Sequence, residues 1–146
     1  MSRNTWVIAS CLLGIILSLL LVGVISATLL RHVVQVIPAA VALVAVARRA
    51  LWGPHAALPL FIFWLLIMLA IWLWLLGIAR IVTGRFTPAE IVLTVVIGTC
   101  CAGGIVASLR TPTTTSRTWR LLMFAMFVAF QIGAMWLSLR QPFSHD

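Results

Sequence analysis

The chain has 146 residues, of which 64% are hydrophobic and only 8% charged, and its net charge of +8 comes from ten arginines set against Glu90 and Asp146, with no lysine. Such proportions exclude a water-soluble domain, whose helices need a polar face, and they give no clustered basic surface of the kind that binds nucleic acid. All the charged residues lie outside five apolar stretches at 6–30, 33–47, 58–79, 91–109 and 121–139.

A hydrocarbon layer of ~30 Å needs about 20 apolar residues in a helix, and four of the stretches are about that long. A β-barrel strand would alternate apolar and polar residues, whereas 12–25 and 58–74 run on without alternation. The expected fold is therefore all-α: a polytopic transmembrane helix bundle forming one domain over 1–146. Its spans are expected at about 6–30, 33–51, 58–79, 88–109 and 120–139. The alternative is four spans plus a re-entrant or interfacial segment at 33–47.

The first stretch follows Arg3 and resembles the start of a signal peptide, and Ile8-Ala9-Ser10-Cys11 has the look of a lipoprotein cleavage box. A signal peptide's apolar region spans only about 7–15 residues, so a retained span is expected. Ser10, Gly14 and Ser18 recur every four residues, a small-residue row of the type that lets helices approach closely in lipid.

The second stretch is the weak one. Fifteen residues rise only about 22 Å, and Gln35 and Pro38 sit in its first half. Its link to the first span reads as Arg31-His32. Crossing is expected if the helix extends to Leu51 and Arg48 and Arg49 reach the headgroups.

The third stretch carries Phe61, Phe63, Trp64, Trp72 and Trp74. Such a helix packs in a bundle or presents a surface to a lipid, quinone or pigment, and packing is the expected use. Trp6, Trp52, Trp119 and Trp136 fall near span ends, where indoles collect at the membrane interface.

Gly84 then marks a turn, and Thr87-Pro88-Ala89-Glu90 a helix start, with Thr87 as N-cap, Pro88 at the first position and Glu90 closing a capping box. Glu90 is the only acidic side chain near a span, and a carboxylate in the membrane marks a proton or cation path. Its position in the first turn favours capping. Arg80, Arg85 and Glu90 nevertheless form the candidate functional polar cluster.

The fourth stretch holds two small-residue rows, Thr94–Gly98–Ala102 and Cys100–Gly104–Ser108, both expected to pack helices. Gln131 of the fifth stretch and Gln35 of the second are candidates for interhelical hydrogen bonds. Between the last two spans, 110–120 is a Thr/Ser-rich loop. Thr113, Thr114, Thr115 and Ser116 suit phosphorylation no better than they suit a loop, and Arg117 and Arg120, with Arg48 and Arg49, are expected to contact anionic lipid headgroups.

No chemistry of catalysis is legible. Cys11, Cys100 and Cys101 lie within apolar stretches, and adjacent cysteines point about 100° apart on a helix, so neither a C-x-x-C redox pair nor a zinc set results. Of His32, His55 and His145, the first two are boundary residues, with nothing to pair them as haem or metal ligands. No catalytic, cofactor-binding or metal-binding residue is expected, and no cofactor.

With five spans, Arg3, Arg48, Arg49, Arg110, Arg117 and Arg120 share one side, and Arg31, Arg80, Arg85 and Arg140 the other. The positive-inside rule places the first group in the cytoplasm. The 110–120 loop is then cytoplasmic and the C-terminus outside, which also holds with four spans. Exclusive use of arginine resembles GC-rich bacterial coding, so a bacterial inner membrane is expected. The functional expectation is a small non-enzymatic accessory or scaffold subunit of a membrane complex, partnered by the phospholipid bilayer and by another membrane protein or a copy of itself. The alternative is a small oligomeric transporter or channel.

Overall fold

The computed structural model describes residues 2–81, 84–112 and 114–140; Thr113, His145 and Asp146 lie outside them. Among the described residues there are five helices and no strand: α1 (Arg3–Ile25), α2 (Leu29–Ala47), α3 (Gly53–Leu75), α4 (Pro88–Leu109) and α5 (Arg117–Ser138). All five are long and apolar enough to cross a membrane.

The first connection is not where the residue pattern puts it. α1 stops at Ile25 because Ala27 adopts a left-handed backbone, φ 57°. Thr28 N–H then donates to the Gly23 carbonyl at 2.8 Å and Ala27 N–H to Val24 at 3.3 Å. This Schellman arrangement satisfies carbonyls that a helix end leaves open. The turn is thus Ser26-Ala27-Thr28, and Arg31 and His32 belong to the first turns of α2. The second helix reaches 19 residues, about 28 Å, by gaining length at its start rather than by running on to Leu51.

α2 ends by the same device. Arg49 is left-handed at φ 58°, and Ala50 N–H donates to the Ala45 carbonyl at 2.9 Å. α3 repeats it with Gly77 at φ 71° and Ile78 N–H on the Leu73 carbonyl at 2.9 Å. Only the third uses the glycine that makes such a stop legible in a sequence. α3 also starts earlier than the apolar run suggests, at Gly53-Pro54, where proline suits a helix's first turn.

Successive helices run antiparallel, so their ends gather at two faces. The start of α1, the end of α2, the start of α3, the end of α4 and the start of α5 share the N-terminal face. α1 lies between α4 and α2, α2 meets α5, and α3 packs against α4, α5 and α2. Although α4 and α5 are consecutive, none of their Cα atoms come within 8 Å of each other. α3 backs both, and a cleft remains between them.

The core combines one face of α1 (Ile8, Leu12, Ile15, Leu19) with Leu60, Phe61, Trp64 and Met68 of α3 and the small residues Ala39 and Ala42 of α2. The outward stripes stay apolar, with Leu17 and Leu21 of α1, Val44 of α2, Leu66 of α3, Val92 of α4 and Met126 of α5 all exposed. Such a surface belongs in lipid, where close packing and interhelical hydrogen bonds, rather than burial from water, hold helices together.

Candidate functional site: polar groups inside the bundle and the α4–α5 cleft

The glycines of α4 serve as sockets. A Cβ on Gly98 would lie 2.9 Å from Cζ2 of Trp72, and one on Gly104 would lie 2.6 Å from Cε1 of Phe61. The aromatic residues of α3 therefore fill the gaps in the small-residue rows of α4. Thr94 completes the Trp72 seat, accepting the indole N–H at 2.9 Å and donating to the Ile91 carbonyl at 2.7 Å.

The other row members divide by helix geometry. Each four-residue step turns about 40° too far for a straight line along the axis, since a residue turns 100°. Thr94, Gly98, Gly104 and Ser108 are buried and Cys100 half-buried, but Ala102 has turned outward and is exposed. The buried position one step back is Cys101. In α1, Gly14 packs beside Cys100, a Cβ there falling 2.8 Å from its Sγ, while Ser18 is buried and Ser10 exposed.

A second polar cluster ties α2 to α5. Gln35 Nε2 donates to Ser138 Oγ at 3.0 Å and to Met135 Sδ at 3.3 Å, and Gln131 Nε2 donates to the Gln35 carbonyl at 3.3 Å. Gln35, Gln131 and Ser138 are all buried, so both glutamines form interhelical bonds.

Glu90 is buried at the start of α4 and closes the capping box. Its Oε2 accepts from Thr87 N–H at 2.7 Å and from Thr87 Oγ1 at 2.8 Å, and its own N–H donates to Thr87 Oγ1 at 3.3 Å. Arg80 and Arg85 are exposed, and among the described residues neither forms an ion pair with Glu90. The structure thus brings the three residues to one face of the bundle without joining them.

At the N-terminal face, Arg48, Arg49 and Arg117 are exposed and Arg120 is half-buried. The cleft between α4 and α5 opens here, with a volume of about 330 Å³. Its polar lining is His55 from α3, Ser108 and Thr111 from the end of α4, and Arg117 and Arg120 from α5. Leu58, Leu121 and Phe124 supply an apolar wall. Arg117 and Arg120 are three residues apart, which puts them on one side of α5, and Ser116 caps that helix by accepting Trp119 N–H at 3.3 Å.

Among the described residues, five buried side-chain atoms lack a hydrogen-bond partner: Arg31 Nε, Trp64 Nε1, Ser108 Oγ, Arg120 Nε and Gln131 Oε1. Buried polar atoms are rarely left so, and two of the five, on Ser108 and Arg120, belong to residues lining this cleft. His55 and Ser108 had no signal in the sequence. His55 reads as a boundary residue and Ser108 as one more small residue in a packing row.

Cys11 and Cys100 lie near each other across α1 and α4, and among the described residues no group of histidine, cysteine and acidic side chains is placed to hold a metal ion. At the opposite face, Trp136 stacks under the Arg140 guanidinium, 3.4 Å from Cζ to the ring centroid. Compared with models of protein families, curated proteins and solved structures, the chain gives no match.

Proposed function

We propose that this integral membrane protein is a non-enzymatic accessory or scaffold subunit of a membrane complex. The observation that carries this reading is how its polar groups are used. Gln35, Ser138, Thr94 and Trp72 bond from helix to helix, Gln131 does so through its amide nitrogen though not its Oε1, and Glu90 caps α4. Groups committed in this way rigidify a bundle and leave its outer surface to make contacts. A transporter would need those same groups free to line a route between the two faces.

The positive-inside rule orients the scaffold, with the N-terminal face and the 110–120 loop in the cytoplasm and the C-terminus outside, in a bacterial inner membrane. Isolation of the full chain from its native membrane in mild detergent tests the role. A partner chain in fixed stoichiometry is the expected result. A protein that runs alone as a symmetric dimer contradicts the accessory role.

A further inference from the structure

We propose that the cleft between α4 and α5 is a binding site for the phosphate headgroup of an anionic phospholipid. The site goes beyond the accessory role and holds with or without a partner subunit, since it requires only that the helices lie in a bilayer.

Three features converge on it. The first is charge. Arg117 and Arg120 line the cleft from one side of α5, and Arg49 stands at the same face. Glu90, the acidic residue among those described, is at the opposite face. Arginine's planar fork of donors matches the geometry of a phosphate.

The second feature is donors without acceptors. Ser108 is 7% exposed, and its hydroxyl has no partner among the described residues. In a membrane helix a serine normally returns its proton to a carbonyl in the preceding turn; the neighbouring Thr111 does this, donating to the Ala107 carbonyl at 2.8 Å. Ser108 does not, and it lines the same cleft as Arg120, whose Nε–H is also buried and unpartnered among the described residues. Turning either side chain toward the cleft would offer its donor to a phosphate oxygen. The start of α5 adds the positive end of a helix dipole with no acidic residue in the first turn.

The third feature selects a lipid over a free anion. The lining turns apolar at Leu58, Leu121 and Phe124, on α3 and α5, where α5 and α4 bring no Cα atoms within 8 Å of each other. A phosphodiester in the arginine-lined mouth would place an acyl chain along that wall. Inorganic phosphate would leave it bare.

The test uses the full chain in nanodiscs of phosphatidylcholine containing phosphatidylglycerol, followed by gentle release and counting of retained lipids by native mass spectrometry. The wild-type protein should retain phosphatidylglycerol in preference to phosphatidylcholine. R120Q should weaken that retention roughly tenfold, the size expected for a charge-assisted hydrogen bond, and S108A several-fold. R140Q removes the same charge from the other face and should leave retention unchanged.

Equal losses in R120Q and R140Q would reduce the effect to net charge and overturn the site. So would unchanged retention in S108A, a variant small enough to fold even where R120Q does not. Inorganic phosphate supplies the last arm. If it displaces phosphatidylglycerol at millimolar concentration, the site binds a free anion and the lipid assignment is wrong; failure to displace supports it.

Discussion

The ring tip of Phe61 occupies the space in which a side chain at Gly104 would begin, with Cε1 only 2.6 Å from an ideal Cβ. Phe61 is fully buried, so it has nowhere to retreat. G104A should therefore destabilise the bundle by about 1–3 kcal/mol, the range for overpacking a tight core. Thermal unfolding in mild detergent measures the loss, and F61L in the same background should recover part of it. An unchanged unfolding temperature for G104A would mean that α3 and α4 are not seated in this way.

Trp72 and Thr94 make the matching polar contact. T94V keeps the shape of the side chain but leaves the indole N–H, now 2.9 Å from its acceptor, unpaired in an apolar setting. A loss of about 1–2 kcal/mol is expected, the penalty of an orphaned donor. A blue shift of tryptophan fluorescence should accompany it, absent if Trp72 faces lipid instead.

Between α2 and α5, S138A removes the oxygen that accepts Gln35 Nε2 and leaves only the Met135 sulfur at 3.3 Å. Single interhelical hydrogen bonds in membranes average about 0.6 kcal/mol, so the change should be modest. Q35L should lose a similar amount. A double-mutant cycle should show the two coupled, and strict additivity would place the residues apart.

Glu90 offers a direct contrast between a cap and a proton site. Glutamine serves a capping box as well as glutamate does, so E90Q should leave stability nearly unchanged, whereas T87A should lose about 1 kcal/mol. Proton flux through reconstituted protein that is abolished by E90Q would instead make the carboxylate a coupling group.

The helix ends predict a gain. Ala27 holds a left-handed backbone that L-residues adopt at a penalty of roughly 1–2 kcal/mol. A27G should stabilise the protein, by somewhat less than that because glycine loses more entropy on folding. The converse change, G77A, should destabilise it through backbone strain, since a Cβ there meets nothing within 4 Å among the described residues. Unfolding curves of the two variants shifting in the same direction would argue against the shared Schellman ends.

Much of this was open to reading and some was not. The capping box at Thr87–Glu90 and the α4 limits follow from residue types alone, because a cap is a contact within one turn. The residue pattern puts the α1–α2 turn at Arg31-His32 instead, since Ala27, left-handed at φ 57°, is not a glycine and so gives no sign of a helix stop. Ala102 dropped out of its row because a four-residue repeat precesses around a helix, and which part of that spiral is covered depends on where α3 and α1 lie.

The distribution of charge by itself determined that the chain forms membrane-spanning helices, because lipid tolerates neither unpaired backbone nor unpaired charge and both constraints act locally along the sequence. Only the tertiary structure decided which helices touch. That choice rests on aromatic rings of α3 fitting glycine gaps in α4, a match of shapes between segments far apart in the chain. The same choice separates α4 from α5 and makes Ser108 and Arg120 line one cleft, a convergence for which spacing in the sequence carries no information.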